Sequence, residues 1–188
     1  MKDKERRLDC AVWEFTLRCN LRCSHCGSSA GVSRPDELDT KECFRLIEQL
    51  AGIGCRNVAL MGGEPLMRED FYDVGRSVKA LGMGLTIVSN GTLMKDHIDE
   101  VRRLEPKVVG VSLDGMCEAH ESIRGKGTYA PTVSAIDMLT EAGIQTTVIT
   151  TVSKTNFKDL PRMRDTLVQK RVNWQIQTAM PFGNFDRT

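Results

Sequence analysis

The alternation of short β-rich runs with amphipathic helical patterns is the feature that most constrains the fold of this chain. Several of the β-rich runs are dense in Val and Ile with little polar alternation, as expected of parallel strands buried on both faces. The six predicted strands cover residues 9–16, 57–61, 85–89, 108–113, 145–152 and 172–178.

Apolar residues recur at helical spacing between consecutive strands. Five such stripes begin at Cys43, Phe71, Met94, Val133 and Leu160. A run of βα units requires parallel strands joined by right-handed crossovers. The sequence therefore predicts an α/β fold, a partial (β/α)6 TIM-like barrel, with an open doubly wound sheet as the alternative. In either arrangement, functional residues collect where the strands end and the following loops begin.

Length and charge narrow the class of protein further. A chain of 188 residues predicts one domain, spanning residues 1–188, and 26 Lys+Arg against 25 Asp+Glu argue against nucleic-acid binding driven by bulk charge. No apolar stretch is long enough for a membrane helix, and residues 1–9 lack the apolar core of an export signal. A cytoplasmic protein is expected. Residues 180–188 show no helical pattern to cover the sixth strand, so we expect a chain truncated there.

The seven cysteines are unevenly distributed. Cys19, Cys23 and Cys26 lie within eight residues, directly after the first predicted strand, and an odd count in such a chain argues against a disulfide framework. Three thiolates with an open fourth position indicate a catalytic metal site, whereas a structural zinc site usually has four ligands. A zinc-stabilised binding scaffold remains an alternative. The isolated Cys10, Cys43 and Cys55 are predicted to be buried, and Cys117 to lie in a loop.

The spacing Cys19-x3-Cys23-x2-Cys26 resembles the signature of radical S-adenosylmethionine (SAM) enzymes. Gly62, Gly63, Glu64 and Pro65 follow the second strand and resemble the GGEP motif of the same family. The resemblance implies a [4Fe–4S] cluster bound by the three cysteines, with SAM as ligand of the fourth iron. It also implies reductive cleavage of SAM to a 5′-deoxyadenosyl radical that abstracts hydrogen from a substrate.

The same resemblance assigns SAM contacts to polar residues after later strands. It implies that Glu64 contacts the SAM amino group and that Arg124, in the stretch His120-Glu-Ser-Ile-Arg-Gly, pairs with the SAM carboxylate. The other residues expected at this site are Ser89, Asn90, Ser112, Asp114 and Thr151. Without the family context, the Asn-Gly and Asp-Gly pairs among them predict only turns.

The motifs look most like those of members with a C-terminal SPASM-type extension, of which this chain contains nothing. They imply an enzyme that modifies a peptide or protein, with haem-precursor modification as the alternative. A low-potential donor such as flavodoxin or ferredoxin is the expected electron partner; neither nucleic acid nor membrane is expected. A third hypothesis is a non-catalytic iron–sulfur module for electron transfer or regulation.

Overall fold

The computed structural model describes residues 8–185, which form an α/β fold. Residues 1–7 and 186–188 lie outside the described part. They include most of residues 1–9, which were predicted to lack an export signal, and the end of the loop predicted over residues 180–188. The elements are β1 (Ala11–Thr16), α1 (Thr40–Gly52), β2 (Asn57–Gly62), α2 (Phe71–Ala80), β3 (Gly84–Ser89), α3 (Met94–Leu104), β4 (Val108–Ser112), α4 (Cys117–Arg124), α5 (Tyr129–Glu141), β5 (Thr146–Val152), α6 (Leu160–Lys170) and β6 (Asn173–Thr178).

The six strands form one parallel sheet in the order β1-β2-β3-β4-β5-β6. Each strand pairs with its neighbour in sequence, so the sheet has no switch point of the kind that defines a doubly wound fold. Within residues 8–185, β1 and β6 do not pair with each other, which leaves the barrel open on one side. The partial barrel prediction is confirmed, and the doubly wound alternative is not.

The two faces of the sheet differ in chemistry. The outer face packs against the helices through fully buried aliphatic side chains, such as Leu60, Ile87 and Val111 on the strands and Ile47 and Leu139 on the helices. The inner face carries small and polar residues together with some larger apolar ones, such as Met61 and Ile149, at the alternating positions. These inner residues include Ala59, Thr86, Gly110, Thr147 and Gln175, and they line a cavity.

Local signals place the helix ends. Asp39 accepts a hydrogen bond from the backbone N–H of Glu42, and the Glu42 side chain accepts one from the backbone N–H of Asp39, which forms a capping box at the start of α1. No helix was predicted from the sequence where α4 lies. The prediction that Cys117 lies in a loop is therefore wrong, because Cys117 begins this helix. Eight residues are too few to show a periodic apolar stripe.

The isolated cysteines divide between core and surface. Cys43 and Cys55 are buried as predicted, whereas Cys10 is exposed. Cys10 lies just before β1, outside the sheet. All seven cysteines are free thiols. No helix among residues 8–185 is long and apolar enough to cross a membrane.

Candidate functional site

A cavity of about 1030 Å³ opens on the inner face of the sheet. Its wall contains Cys19, Cys23 and Cys26 together with residues from the ends of β2 to β6. The predicted site residues that line it directly are the three cysteines, Gly62, Gly63, Ser89, Asn90, Ser112, Arg124 and Thr151. Glu64, Pro65 and Asp114 are buried behind this wall.

The cysteine loop (residues 19–31) connects β1 with the segment that leads to α1. Backbone N–H groups point at two of its sulfurs: Leu21 donates to Cys19 Sγ at 3.4 Å, and Ala30 donates to Cys26 Sγ at 3.3 Å. Arg124 Nη1 lies 3.9 Å from Cys23 Sγ. Hydrogen-bond donors and a cation near a sulfur favour the thiolate over the thiol.

The three cysteines line one cavity, as a shared cluster would require. Among residues 8–185, no group of three or more His, Cys, Asp or Glu side chains is placed to hold one metal ion. In a [4Fe–4S] cluster each thiolate binds a different iron, so its sulfurs are farther apart than those around one zinc ion. The shared cavity and the donors near the sulfurs suit the cluster. Burial raises the pKa of the Cys23 thiol to about 11, so metal binding must displace a proton there.

Gly62 and Gly63 pass close to the end of β1. A Cβ atom added to Gly62, whose φ is +124°, would lie 2.4 Å from the Thr16 carbonyl oxygen. One added to Gly63 would lie 2.2 Å from the Arg18 carbonyl oxygen. Glycine is therefore required at both positions, because the chain's own backbone lies too close for a side chain. The same close contact holds the start of the cysteine loop against the residues before Glu64.

The carboxylate of Glu64 is fully buried and accepts three hydrogen bonds. Ser89 Oγ and the backbone N–H of Leu66 donate to Oε1 at 2.9 and 3.3 Å, and the backbone N–H of Asn90 donates to Oε2 at 2.7 Å. A carboxylate has about four acceptor positions, so one remains for a further donor. Burial raises the pKa of Glu64 to about 7 despite these donors.

Asp114 lies at the centre of a second buried network. Its Oδ2 accepts hydrogen bonds from Arg124 Nε and, at 2.7 Å, from His25 Nε2, while Oδ1 accepts one from the Thr151 backbone N–H at 2.7 Å. The Arg124 guanidinium and the His25 ring, with the Thr151 N–H, outweigh the opposing effect of burial and hold the pKa of Asp114 well below its usual range. Asp114 therefore ties β4, β5, α4 and the cysteine loop together as a permanent anion.

Arg124 is only 10% exposed in its side chain and lies between Asp114 and Cys23. Two of its five N–H donors have these partners, so others remain for a carboxylate at the cavity wall. His120, also buried, has its pKa lowered to about 4 by burial and by the nearby guanidinium, so it is neutral at physiological pH. Its Nδ1 accepts a hydrogen bond from the backbone N–H of Asp114.

Two asparagines that support the site were not predicted from the sequence. Asn20 accepts a hydrogen bond from Asn90 Nδ2 at 2.9 Å, which joins the cysteine loop to the end of β3. Asn156 Nδ2 donates to the Asp114 carbonyl oxygen at 2.7 Å. No pattern in the sequence marks either asparagine, since a single amide side chain in a loop is usually a turn residue.

Ser112, Thr151 and Pro65 occupy different positions around the site. Ser112 and Thr151 line the cavity at the ends of β4 and β5, and Thr151 Oγ1 accepts a hydrogen bond from Gln177. Pro65 is buried and begins a short 3₁₀ turn after Glu64. Pro65 therefore shapes the backbone behind the site rather than its wall.

Comparison with known proteins agrees with this geometry. The family model of the Radical SAM superfamily matches residues 13–167. The chain is 34% identical over 164 residues to Fe-coproporphyrin III synthase of Methanosarcina barkeri, an alignment that covers 86% of this chain and 41% of that protein. It is 35% identical over 185 residues to mycofactocin maturase MftC of Mycolicibacterium smegmatis, covering 95% of this chain and 47% of the relative. The chain thus spans less than half the length of these relatives.

The fold also matches a solved structure. Streptococcus suis SuiB bound to the precursor peptide SuiA superposes with a TM-score of 0.82 at 16% identity, covering 93% of this chain and 40% of that one. This likeness establishes the TIM-barrel-like fold.

Proposed function

The chain belongs to the radical SAM superfamily, and on that premise we propose that it cleaves SAM with a [4Fe–4S] cluster bound by Cys19, Cys23 and Cys26. When bound, the reduced cluster would give one electron to SAM, which would break into methionine and a 5′-deoxyadenosyl radical able to abstract hydrogen from a substrate. The observation that carries the proposal is the single cavity whose wall contains all three cysteines and the Gly62–Gly63 backbone, with the Glu64 carboxylate directly behind.

The residues of the chain bind and orient the cofactors. Glu64 has one acceptor position left for the SAM amino group, and Arg124 has free donors for the SAM carboxylate. Asn90, Ser89 and Ser112 present amide and hydroxyl groups at the same wall, in reach of polar parts of SAM. The Thr151 backbone is fixed by Asp114, which sets the wall on the β5 side.

We propose a peptide or protein as the substrate, in a maturase-type reaction. Among the described residues that line the cavity, Arg124 is the one Lys or Arg, and it is already paired with Asp114. This lining suits a neutral amino-acid side chain better than a tetrapyrrole with several carboxylates. The maturase relative supports this class, and the peptide-bound neighbour supports the capacity of the fold to admit a peptide.

Haem-precursor modification is the second candidate, because relatives at 34% and 35% identity are named Fe-coproporphyrin III synthase and AdoMet-dependent heme synthase. Titration of the reconstituted, SAM-saturated chain with Fe-coproporphyrin III separates the two classes. The peptide proposal predicts no saturable change in the porphyrin absorption. A saturable change in that absorption would favour the haem-precursor class instead.

The reaction itself is tested by the formation of 5′-deoxyadenosine. Wild-type chain is reconstituted anaerobically with iron and sulfide, then supplied with SAM and dithionite, beside a Cys19/Cys23/Cys26→Ala variant. Product from the wild type alone is expected. Equal product from both, or none from a fully loaded wild type, would contradict the proposal.

We also propose the extent of the catalytic domain, the compartment and the electron donor. We propose residues 1–188 as the single catalytic core, working in the cytoplasm with a low-potential donor such as flavodoxin or ferredoxin. The seven free thiols support a reducing compartment.

A further inference from the structure

The segment after β6, residues 180–185, crosses from the open edge of the sheet to the cysteine loop. We call this segment the strap. Asn184 Nδ2 donates to the Cys23 carbonyl oxygen at 2.9 Å, and the Asn184 backbone N–H donates to the Cys26 carbonyl oxygen at 2.9 Å. Met180 and Phe182 line the cavity. The strap therefore spans the side of the barrel where β1 and β6 do not pair.

Gly183 permits this close approach. Its φ is +63°, and an added Cβ atom would lie 2.2 Å from the Cys26 carbonyl oxygen and 2.4 Å from that of Gly27. Both neighbours are backbone atoms, which cannot rotate away as a flexible side chain would. Docking of the strap thus requires glycine at this position for steric as well as conformational reasons.

The hydrogen bonds from Asn184 reach the turn between Cys23 and Cys26, which carries two of the three proposed cluster ligands. Cys26 N–H donates to the Cys23 carbonyl oxygen at 3.2 Å, so this oxygen accepts from both the loop's own turn and Asn184. On the opposite side of the turn, the Ser24 N–H donates to the Ile123 carbonyl oxygen at 2.9 Å. The turn between Cys23 and Cys26 is therefore fixed from α4 on one side and from the strap on the other.

We propose that Asn184 is a positioning residue for the cluster, with the strap closing the open side of the barrel over the cysteine loop. It fixes the Cys23 and Cys26 backbones so that their thiolates face the cavity, and Gly183 makes the docking possible. This inference rests on the proposed function, because it concerns retention of the cluster that the three cysteines bind.

The test uses the full chain and measures retention of the cluster rather than catalysis. Wild type, Gly183→Ala, Asn184→Ala and Gly143→Ala are reconstituted anaerobically. The cluster absorbance is then followed during incubation with EDTA and, separately, with air. Gly143 is the matched control: its φ is +71°, its added Cβ would meet nothing within 4 Å, and it lies in the turn before β5, at the opposite end of the strands.

We expect Asn184→Ala to lose its cluster about fivefold faster than wild type, as the loss of one hydrogen bond to the loop predicts. Gly183→Ala, which undocks the strap, is expected to lose it about tenfold faster or more. Gly143→Ala, which is strained only by its positive φ, should lower the melting temperature of the metal-free chain yet retain its cluster like wild type. If Gly183 only stabilised the fold, the melting temperature and the rate of cluster loss would change together in both glycine variants.

Equal rates of cluster loss in all four proteins would overturn the inference and leave the proposed function intact. Faster loss in Gly143→Ala to the same extent as in Gly183→Ala would also overturn it, because general instability would then account for the effect. If Gly183→Ala fails to fold, Asn184→Ala decides the question alone. A wild-type chain that takes up no cluster would overturn the proposed function and this inference together.

Discussion

The edge of the sheet that follows β2 to β4 and the edge formed by β6 differ in how completely their polar groups are satisfied. At the first edge, Glu64 and Asp114 are fully buried, and each accepts three hydrogen bonds from the protein. At β6, Gln175 and Gln177 are exposed beside Ile176, which is 51% exposed. The carboxylates of the first edge are buried and bonded within the protein, whereas the β6 edge presents exposed neutral side chains.

On the proposed function, this difference separates the part of the site for the cofactor from the part open to a substrate. Burying carboxylates is costly unless they are paired. Asp114 is paired with Arg124, whereas burial still raises the pKa of Glu64 to about 7, so a cationic amino group beside Glu64 would stabilise its charged form. The β6 edge supplies neutral side chains on an open surface, where a substitution changes contacts without disturbing a buried charge.

Asp114→Asn is expected to produce the largest effect on stability. It leaves Arg124 buried beside a neutral amide and removes the partner of His25, which should cost about 3 kcal/mol in the free energy of unfolding of the metal-free chain. Denaturant titration under anaerobic conditions measures this. The matched control is Asp165→Asn, whose exposed pair with Arg164 is worth less than about 0.5 kcal/mol. Equal losses in the free energy of unfolding for the two variants would contradict the view that the edge after β2 to β4 depends on its buried charges.

Glu64→Gln tests the other buried carboxylate. The variant keeps the size of the side chain but loses its negative charge, so the reconstituted protein should bind SAM about a hundredfold more weakly. Equilibrium dialysis with labelled SAM gives the dissociation constant. Exposed Glu69, which precedes α2, provides the control as Glu69→Gln and should leave the constant unchanged.

The pH dependence of SAM binding follows from the same residue. With the pKa of Glu64 raised to about 7 by burial, its ionised fraction increases about tenfold from pH 6 to pH 8. SAM affinity should tighten by a similar factor over that interval. Since the pKa of the folded state is raised, the stability that Glu64 contributes in the metal-free chain is present at low pH and lost as pH rises through about 7. Glu64→Gln should flatten both profiles.

Gln175→Ala at the β6 edge should have the smallest effect. The side chain is exposed and lines the cavity, so unfolding free energy should change by less than about 0.5 kcal/mol and the SAM dissociation constant by less than about twofold. The same two assays measure both quantities. A large loss of SAM affinity would show that the cofactor site extends to β6.

The fold was predictable because its signals repeat. Six runs of β-branched residues and the stripes between them indicated parallel strands joined by helices, as the structure has them. The eight-residue α4 escaped detection because a helix shorter than three turns carries no clear period. Cys10 was wrongly predicted to be buried because β1 begins only at Ala11 and leaves Cys10 outside the sheet.

The site was predictable only where a motif marks it. The cysteines and the residues around Glu64 are recognisable in the sequence, and the structure brings them to one cavity. The partners that fix them are not: the contact of His25 with Asp114 joins residues 89 positions apart, and that of Asn184 with Cys23 joins residues 161 apart. Such pairings arise from the closure of the sheet, which a single sequence does not record.

The proposed function requires that this chain bind a [4Fe–4S] cluster with one iron open to SAM. Electron paramagnetic resonance of the dithionite-reduced, reconstituted wild type, recorded with and without SAM, tests it most directly. The account predicts a [4Fe–4S]⁺ signal whose g-values shift when SAM is added, with a much weaker response in Glu64→Gln at the same SAM concentration. A reduced cluster whose spectrum is the same with and without saturating SAM would contradict the account.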